Sequence, residues 1–149
     1  MKIPIMPILL FVLLSSVSSA QETKNIPVAV AQFGEDPVGR AMAVALKEAI
    51  RGSQNLFLVE SYANRPRMSV LLHSVDTEAH KEIKGRASAI AEVILYHSPE
   101  TPIGGIFITV NILICGNEQI ENCAISRLPQ IYQAAEFLRK SWPSFWKTL

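Results

Sequence analysis

Apolar and polar positions alternate along this chain with two different periods, and the switches between them outline one small α+β domain. Ile26 to Phe33 (IPVAVAQF) is a short β-type run opened by a proline, which a strand tolerates at its first residues. Asp36-Pro37 then offers an N-cap followed by a proline at the first helical position. Val38, Met42, Ala45, Leu46 and Ala49 recur at spacings of three and four, with Arg40, Lys47, Glu48 and Arg51 between them. This predicts an amphipathic helix over 37–51, with Gly52 as a left-handed stop.

Leu56 to Val59 reads as a short strand, and Met68 to Val75 as another entered through the Arg65-Pro66 turn. Asp76 to Lys84 is polar and reads as a loop. Ala87 to His97 is two-sided. Ile83, Ala87, Ile90, Ala91 and Ile94 would line a helix, but Gly85 interrupts them and Val93 to Tyr96 is β-prone, so a strand is preferred. Ser98 to Gly105 is dense in turn residues. In Ile106 to Cys115, Ile106, Ile108, Val110, Ile112 and Ile114 alternate without a break. Beyond Gly116, Asn117 is a candidate cap. The stripe Ile120, Ala124, Leu128, Ile131, Ala135, Leu138 and Trp142 then predicts a second helix over 118–141, kinked or broken at Pro129.

The expected order is therefore β-α-β-β-β-β-α. The expected fold class is α+β: a mostly antiparallel five-stranded sheet, with both helices on the face that carries Ile106, Ile108, Val110 and Ile112.

The first 20 residues stand apart. Lys2, an apolar run from Ile3 to Leu14, and small residues through Ala20 read as a signal peptide, too short to span a bilayer. This gives two segments, a leader over 1–20 and a single domain over 21–149, exported to the periplasm or beyond. Without the leader's one lysine, 13 Lys and Arg stand against 13 Asp and Glu. A neutral domain has no general attraction for nucleic acid or an anionic membrane.

Export also decides how the two cysteines read. Cys115 and Cys123 are expected to form a disulfide in an oxidising compartment. A redox-active pair would sit closer together, as C-x-x-C, and a metal site would need two further ligands that are not nearby in sequence.

Candidate chemistry is sparse. His73, Asp76, Glu78 and His80 are the one cluster of ligand-type side chains, but three of the four lie in or beside a polar loop where such residues are common. No G-x-S-x-G or triad motif is present. Gly34 to Gly39 occupies a strand-to-helix turn, yet its Glu35 and Asp36 would repel a phosphate. Arg65-Pro66-Arg67 is at most a weak anion site. The end of the chain places Trp142, Phe145 and Trp146 within eight residues. Trp142 follows the helix stripe, whereas Phe145 and Trp146 lie past Pro143 and are candidate partner contacts.

Two resemblances accompany these readings. The stretch from Ile26 to Glu60 resembles the opening of TolB amino-terminal, CsgG and LpoB-type envelope domains, though the lipobox cysteine of their lipoprotein members is missing. Most of the mature chain is similar to a set of small exported bacterial proteins of unknown function. These combine a D-P-x-G helix start (Asp36 to Gly39), an R-P-R strand entry (Arg65 to Arg67), and C-G with C-A (Cys115-Gly116, Cys123-Ala124). That resemblance supports the 87–97 strand and the disulfide, and brings no activity or cofactor with it.

Three functions are compatible with this reading. The first is a non-catalytic envelope domain that binds a protein partner through an open sheet face or the aromatic tail. The second is a small-ligand binder with a pocket between the sheet and the 76–86 loop. The third is a metal-dependent hydrolase built on His73, Asp76, Glu78 and His80.

Overall fold

The computed structural model describes residues 26–62, 65–77, 86–98, 105–141 and 143. The elements are β1 (Ile26–Phe33), α1 (Pro37–Arg51), β2 (Leu56–Leu58), β3 (Arg67–Asp76), β4 (Ala87–His97), β5 (Ile106–Gly116), a 3-10 turn (Asn117–Gln119), α2 (Ile120–Ile125) and α3 (Leu128–Ser141). Residues 1–20, where the sequence reads as a leader, lie outside the described residues. No described helix is long and apolar enough to cross a membrane.

The five strands form one sheet in the order β2-β1-β3-β4-β5. It is mixed, which corrects the expectation of a mostly antiparallel sheet. β1 pairs in parallel with both β2 and β3, and only the β3-β4-β5 side is antiparallel. The reason lies in β1 and β2. The α1 crossover returns the chain in the same direction, and β2 is only three residues long, so the chain passes back to β3 on the other side of β1 within a short loop. Arg65 and Arg67 hold that return together. Arg65 lies over the Phe57 ring at 5.6 Å, and Arg67 donates to the Ser61 carbonyl. The Arg-Pro-Arg step is thus engaged in a turn.

One layer of helices covers one face. Val38, Met42, Leu46 and Ile50 of α1 and Ile131 and Leu138 of α3 close on Val28, Val30, Met68, Val70, Leu72, Ile90, Ile94 and Tyr96. Within α1, Ala43 and Ile50 are buried, whereas Ala45 and Ala49 are half-buried. The helix ends at Arg51. Gly52 has φ −76°, a right-handed conformation instead of the expected left-handed stop, and its N–H reaches the Glu48 carbonyl.

The single helix expected over 118–141 is two helices. Pro129 cannot donate a hydrogen bond and clashes with the carbonyl four residues back, so it stands in the first turn of α3, and Ser126-Arg127 forms the break before it. Ser126 Oγ donates to the Cys123 carbonyl and covers an end of α2. Asn117 makes no side-chain cap; Gly116 holds the cap position of the 3-10 turn.

The largest correction concerns β5. The ladder with β4 shifts register between Ile94 and Leu95, where Ile94 pairs Thr109 and Leu95 pairs Phe107. Ile108 is the extra residue of this bulge. Side chains alternate strictly in a strand, so one extra residue exchanges the two faces beyond it. Ile106 lies on the helical side, but past the bulge Thr109, Asn111, Leu113 and Cys115 take that side. Val110, Ile112 and Ile114 point away from the helices.

Candidate functional site

The face turned away from the helices is built from alternate residues of each strand. Its rows follow from the pairing: Ala31, Leu71, Val93 and Val110; Phe33, His73, Ala91 and Ile112; and Val75, Ala89 and Ile114. His73 is the one ionisable side chain in these rows. No described element lies over this face. Exposure is graded across it. Ala29 and Ser69, near the start of β1 and β3, are buried, whereas β5 is open. Phe107 is 59% exposed, Val110 51%, Ile112 79% and Ile114 74%. Single exposed apolar residues are ordinary, but a contiguous apolar row on one strand marks a contact surface. Among the described residues β5 is also the edge of the sheet, with β4 as its one neighbouring strand.

The opposite side of β5 is held firmly. Cys115 is fully buried and bonded to Cys123 of α2, with the Cα atoms 6.2 Å apart. No described cysteine is free. Asn111 sits opposite Glu92 in the ladder, and its Nδ2 donates to Glu92 Oε1 at 3.1 Å. Glu92 is fully buried, and its Oε2 has no hydrogen-bond partner among the described residues. Burial raises its pKa; the Asn111 bond and the charge of Arg127 pull the other way.

A second place to look for chemistry is the end of β1 and β3 above the start of α1. Gly34, Glu35, Asp36, Pro37, His73, Ser74, Val75 and Asp76 surround an open hollow of about 570 Å³ there. Its walls are structural. Asp36 Oδ2 accepts from the Gly39 N–H at 2.6 Å, capping α1 as expected from the Asp-Pro pair. Gly39 lets the helix press on β3, because a Cβ there would lie 1.8 Å from Ser74 Oγ. Gly34 turns the chain at φ +103°, with the Ser74 carbonyl 2.8 Å from where a Cβ would stand. The D-P-x-G pattern therefore encodes a tight strand-to-helix turn.

His73 and Asp76 approach the same hollow from the end of β3, with His73 exposed on the open face beside Leu71 and Val75. Glu78 and His80 lie outside the described residues, as do Trp142, Phe145 and Trp146 and most of the 76–86 loop. Among the described residues no three His, Cys, Asp or Glu side chains form a group able to hold a metal ion.

Sequence reasoning placed Val110 and Ile112 in the core and so missed the row that stands out. A usable signal was present. Phe107, Leu113 and Cys115 make the second face of β5 partly apolar, beside Thr109 and Asn111, so the isoleucine phase was not the one way the strand could meet the helices.

No protein-family model and no curated protein matches the chain. Among solved structures, the PelC dodecamer from Paraburkholderia phytofirmans is similar at TM-score 0.42 and 10% identity, over 75% of this chain and 89% of that one. The hypothetical protein CT253 from Chlamydia trachomatis is similar at TM-score 0.36 and 9% identity, over 79% and 95%. Similarity at this level supports no functional statement about this chain.

Proposed function

We propose that this is an exported, non-catalytic domain of the cell envelope that binds a protein partner through the open face of its sheet. The observation that carries this reading is the row Phe107, Val110, Ile112 and Ile114, exposed at the edge of the sheet on a face that no described element covers. An apolar, almost uncharged row of this kind fits a protein surface of the same character and gives no grip to a nucleic acid. Export is supported by the leader-like first 20 residues and by a disulfide, which persists in oxidising compartments.

The test is photo-crosslinking in the native envelope. A benzophenone amino acid at Ile112 is expected to give discrete adducts, and the same probe at Lys140, an exposed position on α3, is expected to give none. Equal labelling from the two positions, or none from Ile112, would end this reading.

A further inference from the structure

We infer that the partner is a second copy of this chain, joined edge to edge through β5 in an antiparallel pair about a twofold axis, so that two five-stranded sheets become one of ten strands. This rests on the partner-binding reading above and narrows it to the β5 row: edge pairing gives Val110, Ile112 and Ile114 new neighbours and leaves the rows of β1 and β3 on that face free.

The two edges of the sheet are treated differently. β2 is three residues long, too short to template another strand. β5 runs for 11 residues, and from Ile106 to Gly116 it carries no charged residue and no proline. Lysines, prolines, inward-pointing charges and bulges are the usual devices that keep edge strands from pairing; β5 has only the bulge at Ile108 near one end, and Thr109 to Gly116 carries none of them. An uncharged strand also meets its own copy without like-charge repulsion.

Antiparallel self-pairing is isologous, so the residues must complement themselves about the axis. With the axis at Ile112, Ile112 meets its own copy, and Val110 of each chain meets Ile114 of the other on the open face. Asn111 meets Leu113, and Thr109 meets Cys115, on the helical side. Ile108 then falls opposite Gly116, where no side chain competes with the exposed Phe137 of α3, which lines a small hollow with Ile108, Thr109 and Asn111.

The area is sufficient. A paired segment of about nine residues is about 30 Å long at about 3.4 Å per residue. A sheet with one helical layer is on the order of 20 Å deep. The two copies together would bury on the order of 1,200 Å², at the low end of specific interfaces.

Sedimentation of the purified oxidised protein from about 1 to 200 μM is expected to show a reversible monomer–dimer equilibrium. Ile112→Lys puts two ammonium groups together at the axis and is expected to weaken the dimer at least about tenfold, with an unchanged thermal melt at concentrations where the parent is monomeric. Val75→Lys, on the same face but away from the edge, is expected to leave the dimer intact. Ile112→Cys should give a covalent dimer on mild oxidation, and Val110→Cys should not.

A monomer at every concentration overturns the inference, as does a dimer lost on Val75→Lys but kept on Ile112→Lys. If the protein is monomeric while the Ile112 crosslinker still captures a different chain in the envelope, the second copy is excluded and the partner-binding reading survives. If no adduct forms there, both fall.

Discussion

The contact between Gly39 and Ser74 leaves no room for a side chain at position 39. Gly39→Ala would put a methyl carbon 1.8 Å from Ser74 Oγ, 2.3 Å from Ser74 Cβ and 2.9 Å from Asp36 Oδ2. The first two distances are far inside van der Waals contact, so the start of α1 must lift from β3 by more than 1 Å. Overpacking of this kind costs about 1–3 kcal/mol. The lift also pulls the Gly39 N–H from the Asp36 carboxylate, and losing a cap costs about 1 kcal/mol more. Against this, alanine gains about 1 kcal/mol over glycine in helix propensity. The net expectation is a loss of about 1–3 kcal/mol, read as a lower urea midpoint of the oxidised protein at unchanged slope. Ser74→Gly removes both obstructing atoms. In the double variant it should recover more than about 1 kcal/mol relative to additivity, because the two sites share one contact. A Gly39→Ala protein as stable as the parent, or strictly additive effects, would refute the claim that the D-P-x-G turn exists to let α1 touch β3.

Three further expectations can be checked. Replacing Cys115 and Cys123 with serine releases the short loop between β5 and α2 and should cost about 2.5 kcal/mol, seen as the difference between the variant and oxidised parent in urea unfolding. Glu92→Gln should stabilise the protein at pH 7 by about 1–2 kcal/mol, because it removes a buried carboxylate with an unbonded Oε2. The sign with pH follows from the raised folded-state pKa. The parent's Glu92 does no harm below its ordinary value of 4.5, where it is protonated in both states, and stability is lost as pH rises through the raised value. The advantage of Glu92→Gln in parallel melts should therefore vanish near pH 4. Ile112→Lys should change monomer stability by less than about 0.5 kcal/mol, since the side chain is exposed in the single chain; a large drop in melting temperature at a concentration where the parent is monomeric would mean that Ile112 is buried within its own chain.

What the sequence made legible was local. α1 was readable because its cap, its proline and its three-four spacing all agree. β4 was readable because Gly85 and the run Val93 to Tyr96 oppose a helix, and the structure runs that strand from Ala87 to His97. The direction of pairing was harder. β1 is an almost continuous apolar run with little alternation, as a central parallel strand requires, but the same run also suits an antiparallel strand. The bulge at Ile108 left no local trace. An isoleucine at every second position looks like one face, and only the ladder with β4 shows that one residue is extra. The break before Pro129 was visible as a proline; its position became clear only from the hydrogen bonds of Ser126 and Arg127.

The sulfur bridge has a mechanical consequence. It fastens the last turn of the outermost strand to the helical layer behind it, so a load hung on that strand passes sideways into α2. Peeling from the Gly116 end is blocked, and any opening of the ladder has to begin at Ile106. Exchange of the β5 amides that bond to β4 should follow that gradient, faster towards Ile106 and slower towards Cys115, and reduction of the bridge should erase it.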